Sequence, residues 1–212
     1  VVVVLSAGSS VEMPWADRVA AIVHGYLGGQ AGASAMLDVL TGATCPSGKL
    51  NETYAYSLED VASTSYYPAI ERSSEYREGL YMGYRYFDTA GVKVRFPFGF
   101  GLSYTTFAYS DLTVDGGGVT FTITNTGECD GAEIAQMYVG HERSHLFGPK
   151  KELKGFVKVF LKKGESQQVT ISFDDKTFRY WNSRTNHWEV EGGTYQILVG
   201  ACVMDIRLSG SI

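Results

Sequence analysis

The sequence lacks an excess of positive charge and lacks long apolar runs, and each absence excludes a class of protein. Its 212 residues carry 18 Lys and Arg against 23 Asp and Glu, which gives a net charge of −5. Nucleic-acid-binding domains usually show a basic surface, so we expect no nucleic-acid partner. No apolar run approaches the ~18 residues that a membrane-spanning helix needs, so we expect no membrane partner.

Cysteines are scarce as well. Cys45, Cys129 and Cys202 are scattered and form no C-x-x-C pair. An odd number of widely spaced cysteines argues against a disulfide framework and against a zinc site. We therefore expect no metal, and free thiols in a reducing compartment favour a cytoplasmic location.

The glycines near residue 30 do not form a nucleotide-binding loop. Gly25, Gly28, Gly29 and Gly32 precede a helical pattern, where a phosphate-binding loop would lie. Neither G-x-G-x-x-G nor a closing Gly-Lys-Ser/Thr is present, so tight packing of the helix is the better interpretation. We expect no cofactor.

The first quarter of the chain shows the pattern of an α/β layer. Val1–Leu5 is a continuous β-branched run typical of a parallel strand covered on both faces, and it lacks the basic start of a signal peptide. A second strand pattern at Ala20–Tyr26, a helical face at Ala31–Leu40 ended by Gly42, and an extended segment at Lys49–Tyr54 follow. These strands are too few for a complete sheet, so we expect a piece of a longer protein.

The segment 75–104 joins two parts of the chain with different hydrophobic periods. It is rich in aromatic residues and glycine and shows no helical repeat. Aromatic side chains bury large areas, which favours a strap packed onto its neighbours over a loose linker.

From Thr105 onward the apolar residues alternate with polar ones. Thr120–Thr124 and Gln168–Phe173 show this period of two, and turn signals such as Asn125-Thr126-Gly127 separate the runs. About seven short strands with frequent turns are typical of an antiparallel β-sandwich.

Several long motifs resemble family 3 glycoside hydrolases, in their β-glucosidase branch. The resembling stretches are VVVVLSAGSSVEMPW, YLGGQAGASAMLDVLTGATCPSGKL, EGLYMGYRYFD, VRFPFGFGLSYTTF, NTGECDGAEIAQMYV, PKKELKGFVKVFLKKGE and HWEVEGGTYQILVGA. Gly28 stands where the family usually has proline, and Cys45 stands where asparagine is common. Neither departure falls on a residue expected to do chemistry.

The resemblance implies a mixed fold class in three parts. Residues 1–74 would be the C-terminal part of an α/β sandwich domain, and 75–104 an aromatic linker strap. Residues 105–212 would be an all-β, immunoglobulin or fibronectin type III-like sandwich.

The family resemblance also implies retaining hydrolysis of terminal glycosidic bonds by two carboxylates. In the family, the nucleophile is an aspartate of a (β/α)₈ barrel and the acid/base is a glutamate upstream of this chain. Neither motif is present, and Ser110-Asp111 lies within a predicted strand, so we assign no catalytic residue. The implied partners are the missing barrel, in the same or another chain, and an oligo- or aryl-glycoside substrate. The alternative is a stand-alone, non-catalytic module that binds carbohydrate or scaffolds domains.

Candidate substrate-binding residues are His141, His145 and Trp15. The histidines lie in a polar stretch, GHERSHLFGPKK, whose glycines and proline argue against a metal-binding helix and favour a solvated loop. The functional alternative is that this loop touches sugar at the rim of a barrel pocket. Trp15, Trp181 and Trp188 are the tryptophans that would stack on sugar rings, although packing is the usual role of tryptophan.

The strap generates a prediction about its aromatic residues Tyr81, Tyr84, Phe96 and Phe98. If they pack, Phe98→Ala in the intact protein lowers the melting temperature by several degrees and leaves sugar affinity unchanged, since truncating a buried aromatic costs ~3–5 kcal/mol. Thermal unfolding and sugar titration of the same variant test this. An unchanged melting temperature with weakened sugar binding would instead make the ring part of a sugar platform.

Overall fold

The computed structural model describes residues 1–69 and 72–212, and the chain divides into two compact units. The first unit is Val1–Leu102 and the second is Ser103–Ile212. The first mixes short strands with helices and the second is built from strands, in agreement with the mixed fold class expected from the sequence.

The described residues of the first unit form four strands and two α-helices. The strands are β1 (Val2–Leu5), β2 (Ala21–His24), β3 (Tyr54–Ala55) and β4 (Val94–Phe96), and the helices are α1 (Gly32–Thr41) and α2 (Tyr84–Ala90). Short 3₁₀ turns occur at Ala16–Arg18, Leu58–Asp60 and Thr64–Tyr66. Strands β1 and β2 are parallel, whereas β3 and β4 are antiparallel.

Two of the glycines near the start of α1 lie close to other groups. A Cβ on Gly28 would lie 2.9 Å from the Cα of Gly32, and one on Gly25 would lie 2.8 Å from the Cε of Met36. Gly42 ends the helix in the left-handed conformation, at φ 78°. Close packing is thus present at Gly28, whereas a Cβ on Gly29 or Gly32 would meet nothing within 4 Å and the Met36 side chain near Gly25 can move away.

The prediction that segment 75–104 has no helix is wrong. Helix α2 lies within it, between Gly83 (φ 54°) and Gly91 (φ 68°), and the Gly91 N–H donates to the carbonyl of Phe87. A seven-residue helix is too short to show a periodic apolar face, and Phe87 is its buried residue. Two glycines that favour positive φ set its ends.

Aromatic residues of this segment pack inside the first unit. The rings of Tyr84 and Phe98 stack with centroids 4.6 Å apart, and those of Phe96 and Phe100 stack at 5.4 Å. Phe96 also meets the ring of Tyr54, edge to face, at 6.4 Å. These contacts agree with a packing role for the rings.

The second unit is a β-sandwich with an added hairpin. A three-stranded sheet contains β5 (Phe107–Asp115), β6 (Gly118–Asn125) and β9 (Ser166–Ser172), in that order. A four-stranded sheet has the order β13 (Asp205–Ser211), β12 (Tyr195–Cys202), β7 (Gly131–His141) and β8 (Glu152–Leu161). Strands β10 (Arg179–Asn182) and β11 (His187–Val190) form the hairpin, and all neighbouring strands of this unit are antiparallel.

The core of the sandwich follows the period of two. Alternate residues of β6 and β7 contribute to this core and meet residues of β8, β9 and β12 between the sheets, although Gln136 and Tyr138 on the other face of β7 are buried as well. The residues of this core are Phe107, Val119, Phe121, Ile123, Ala135, Met137, Val139, Val159, Leu161, Val169, Ile171, Ile197 and Val199. The predicted sandwich is confirmed, whereas the hairpin β10–β11 was not predicted.

The carboxamide of Asn125 is fully buried at the end of β6, and both of its ends are satisfied. Its Nδ2 donates to the carbonyls of Cys129 (2.9 Å) and Leu161 (3.0 Å). Its Oδ1 accepts from the Thr105 hydroxyl (2.6 Å) and from the Gly127 N–H (3.1 Å). One side chain thus connects the chain before β5, the turn after β6 and the end of β8.

We predict that Asn125→Leu lowers the free energy of unfolding of the second unit by about 3 kcal/mol or more, because it leaves buried backbone and hydroxyl groups unpaired. Urea unfolding measures the loss. Thr124→Ala is the control, since it removes a hydroxyl that meets Ser166 at the surface, 2.7 Å away, and should cost less than about 1 kcal/mol. Equal losses in the two variants would contradict the prediction.

Candidate functional site

The carboxylate of Glu191, just after β11, organises the loop that contains His145. Its oxygens accept hydrogen bonds from the Ser144 hydroxyl and from the His145 backbone N–H, both at 2.7 Å. The loop between β7 and β8 is therefore fixed to the chain that leads into β12. His145 takes part in this contact through its backbone.

His141 is the last residue of β7 and does not lie in the loop where the sequence analysis placed it. Its Nε2 lies 3.3 Å from the carbonyl oxygen of Gly192, and its Nδ1 accepts from the N–H of Arg143 at 3.2 Å. Its ring meets Tyr195 edge to face, with centroids 4.8 Å apart. The strand extends through Gly140 to His141, since both residues pair with β12.

Gly193 explains why the imidazole of His141 can approach the backbone. A Cβ at this position would lie 2.6 Å from the Nε2 of His141, and the glycine has φ 137°. The Gly192-Gly193 pair in the sequence is thus a local signal that a side chain, here the His141 ring, packs closely on this turn. Tyr195 completes the arrangement, because its hydroxyl donates to the carbonyl of Glu191 at 2.8 Å.

The electrostatics of the cluster favour the charged carboxylate. The Ser144 hydroxyl and the His145 N–H hold the pKa of Glu191 below its ordinary value, and the neighbouring imidazoles of His141 and His145 act in the same direction. Burial raises the pKa of the Tyr195 phenol. The cluster therefore presents one anion between two histidines at neutral pH.

The third candidate residue, Trp15, lies in the first unit, just before the 3₁₀ turn Ala16–Arg18. Its carbonyl accepts from the Arg18 N–H at 2.9 Å.

The two histidines lie in the second unit, where the His145 backbone N–H donates to Glu191 and the His141 ring lies against Gly192. Among residues 1–69 and 72–212, no group of three or more His, Cys, Asp or Glu side chains has an arrangement that would hold a metal.

A cavity of about 370 Å³ lies in the first unit, and the sequence analysis did not predict it. Its walls include the carboxylates of Glu52 and Glu78 and the stacked rings of Tyr84 and Phe98. The buried hydroxyl of Thr53, also in the wall, has no hydrogen-bond partner among the described residues.

The described part of the chain contains no helix long and apolar enough to cross a membrane.

Both units match known protein families. Residues 1–104 match the C-terminal domain of glycosyl hydrolase family 3, and residues 133–202 match the fibronectin type III-like domain.

Relatives match over almost the whole chain. Thermostable beta-glucosidase B of Acetivibrio thermocellus is 46% identical, over 100% of this chain and 29% of its own length. An exo-alpha-(1->6)-L-arabinopyranosidase of Bifidobacterium breve is 45% identical, over 97% of this chain and 28% of its own length. The crystal structure of a Bifidobacterium adolescentis GH3 beta-glucosidase has a TM-score of 0.94 and 44% identity, over 100% of this chain and 32% of that one.

The chain therefore belongs to glycoside hydrolase family 3. It corresponds to the C-terminal part of the β-glucosidase-like enzymes of that family, and it spans less than a third of the length of these relatives.

The Glu191 cluster predicts a pH-dependent loop. Because the pKa of Glu191 is lowered by folding, its stabilising effect is present above the ordinary glutamate pKa and is lost as pH falls through the folded value. We expect the protection factor of the His145 amide to fall between about pH 5 and pH 3, close to the ordinary glutamate pKa. Hydrogen exchange followed by NMR measures it.

Glu191→Gln should lower the same protection factor at pH 7, since the amide has one acceptor oxygen and no charge. Glu142→Gln, at an exposed position of the same loop, is the matched control and should have no effect. A protection factor unchanged by Glu191→Gln would show that the carboxylate does not hold the loop.

Proposed function

We propose that the intact protein is a β-glucosidase-like glycoside hydrolase that cleaves terminal glycosidic bonds with retention, and that this chain is an accessory part of it. The observation that carries the proposal is the match of the whole chain to beta-glucosidases, at 46% identity to one relative and a TM-score of 0.94 to a solved structure. These relatives are more than three times as long.

Retaining hydrolysis needs two carboxyl groups ~5–5.5 Å apart, one as nucleophile and one as acid/base. The carboxylates of Glu191 and Glu133 in the second unit both accept hydrogen bonds that hold the fold together. Glu191 fixes a loop, and Glu133 accepts from the Tyr109 hydroxyl at 3.3 Å. The Ser110-Asp111 pair resembles the family's nucleophile motif but lies on strand β5. Asp111 has φ 57°, and its carboxylate accepts a hydrogen bond from the Ser110 hydroxyl.

The missing (β/α)₈ barrel is thus the proposed source of the nucleophile, in the same chain or a second one, and an oligo- or aryl-glycoside is the proposed substrate. The contribution of this chain is then to complete the α/β sandwich domain and to add the fibronectin type III-like domain. Neither unit needs to touch the reacting atoms for this role.

The choice of sugar is proposed to lie outside this chain. Two relatives with almost equal identity, 46% and 45%, are named for different sugars, a glucoside in one case and an L-arabinopyranoside in the other. Equal similarity in this part with different named sugars is what we expect if another part of the protein selects the substrate.

A stand-alone module for carbohydrate binding or domain scaffolding is the second candidate. It is favoured by the second unit, which has a continuous core of its own from Phe107 to Val199. The reading frame of the gene distinguishes the two, since an enzyme requires a barrel and a module does not.

We predict that residues 1–212 alone do not hydrolyse 4-nitrophenyl β-glucoside, whereas the intact protein does, because the chain lacks both catalytic carboxylate motifs. Release of 4-nitrophenol by each preparation measures this. The chain purified and then passed over a second column serves as the control for contaminating glycosidase. Turnover that follows the peak of the 212-residue chain would contradict the prediction.

A further inference from the structure

The hairpin β10–β11 presents two chemically different faces. Its register places Trp181 opposite Trp188 and Tyr180 opposite Glu189. Since neighbouring residues of a strand point to opposite faces, the two tryptophans share one face and the tyrosine and glutamate share the other. An aromatic face and a polar face are therefore held back to back on two short strands.

The polar face makes the hairpin rigid. The Glu189 carboxylate accepts hydrogen bonds from the Asn182 amide (2.8 Å), from the Thr185 hydroxyl and from the Tyr180 hydroxyl (3.0 Å). The same three donors, that of Asn182 first, lower the pKa of Glu189. Isolated two-stranded hairpins are marginally stable, so these bonds fix the positions of the side chains on the other face.

The aromatic face is open to solvent. Trp181 is 48% exposed and Trp188 is 57% exposed, and Val190 beside them is 57% exposed. The indole rings meet edge to face, with centroids 5.5 Å apart and planes at 73°. This contact orients both rings and leaves about half of each available for a ligand.

Arg179, on the same strand face as Trp181, belongs to a charged pair. Arg179 is two residues before Trp181 on the same strand face, and its Nη1 lies 3.0 Å from the Oδ2 of Asp175. Both side chains are accessible, at 40% and 65%. A guanidinium and a carboxylate offer several donors and acceptors of fixed geometry, which are suited to vicinal hydroxyl groups.

The outer face of β8 shows what an exposed aromatic patch without such a pair looks like. Phe156 and Phe160 are 67% and 63% exposed and flank the exposed Lys158. They lack a polar indole N–H, and no carboxylate–guanidinium pair is described between them. This second patch provides a matched control for exposed aromatic area.

We propose that Trp181, Trp188, Arg179 and Asp175 form a binding surface for a neutral glycan chain. The apolar C–H face of a pyranose ring stacks on the exposed indoles, and its hydroxyl groups bond with the guanidinium and the carboxylate. The choice of carbohydrate as ligand rests on the proposed function. On the enzyme, the surface would retain an oligosaccharide substrate without taking part in catalysis.

The experiment titrates the 212-residue chain with cellohexaose, laminarihexaose and xylohexaose and follows the three indole N–H signals by NMR. We expect the signals of Trp181 and Trp188 to shift and that of Trp15 to stay. Trp181→Ala and Trp188→Ala should each weaken binding by about tenfold, as expected for the loss of one stacking ring. Phe156→Ser should leave it unchanged.

Two further variants distinguish loss of binding from unfolding of the hairpin. Asp175→Asn and Arg179→Gln keep both rings and should also weaken binding. If the indole N–H chemical shifts of the free variant equal those of the unsubstituted chain, the edge-to-face contact and the hairpin are intact. No shift with any hexaose at about 10 mM, far above useful affinities, would overturn the proposal. Binding that survives both tryptophan substitutions would do the same.

The intact protein separates this proposal from the proposed function. If the aromatic face instead packs on the rest of the protein, Trp181→Ala lowers the melting temperature of the intact protein and the hexaoses do not shift its indole signals, which overturns the proposal. If hydrolysis of 4-nitrophenyl β-glucoside is absent but the chain binds hexaose, the proposed function fails and the glycan surface stands. Full hydrolysis with lost hexaose binding in Trp181→Ala supports both.

Discussion

The buried carboxamide of Asn125 is the constraint on which the second unit depends. Antiparallel strands satisfy one another, but the chain must leave the sheet at the ends of strands, and the backbone groups there need other partners. The Asn125 side chain serves three such groups at once, the carbonyls of Cys129 and Leu161 and the N–H of Gly127, and it also accepts from the Thr105 hydroxyl. Its own backbone extends the connection, because its N–H donates to Glu165 and its carbonyl accepts from Gly164.

The same principle recurs where the functional candidates lie. Glu191 satisfies the N–H of His145 in a loop, and Glu189 accepts three side-chain donors in a hairpin. Glu191 thus supplies an acceptor where no strand pairs with the loop, whereas Glu189 adds side-chain bonds to a hairpin whose strands already pair. The sandwich thus combines an apolar interior with hydrogen-bonded polar side chains outside it. The loop of His145 and the hairpin β10–β11 are both held by such side chains.

The sandwich could be predicted from the sequence because its core follows a strict period of two, as in Val119, Phe121 and Ile123. Helix α1 was also predictable, from its apolar face and from Gly42 at its end. Helix α2 was missed because its bounds depend on the positive φ of Gly83 and Gly91, which no periodicity reveals. The hairpin was missed for a related reason, since its strands have only four residues and its half-buried face carries polar residues such as Asn182 and Glu189.

The candidate site was only half accessible to sequence reasoning. The histidines were found from their residue type, but their relation depends on Glu191, which lies 46 residues beyond His145 in the chain. The turn at Gly192-Gly193 is the one local signal that would have pointed there, because a Cβ at Gly193 would collide with His141. The cavity of the first unit has no counterpart in any motif, since its walls come from separated segments.

The position of β12 within its sheet has a consequence for the order of folding. This strand lies between β7 and β13, so the inner strand β7 meets a partner about sixty residues later in the sequence. The guanidinium of Arg207 on the edge strand β13 donates to the carbonyl of Phe107 at 2.6 Å. This bond joins the last strand of the second unit to its first strand, β5. Pairings of such long sequence separation slow folding. During synthesis the interior around β6 and β7 therefore stays incomplete until β12, Tyr195–Cys202, has emerged.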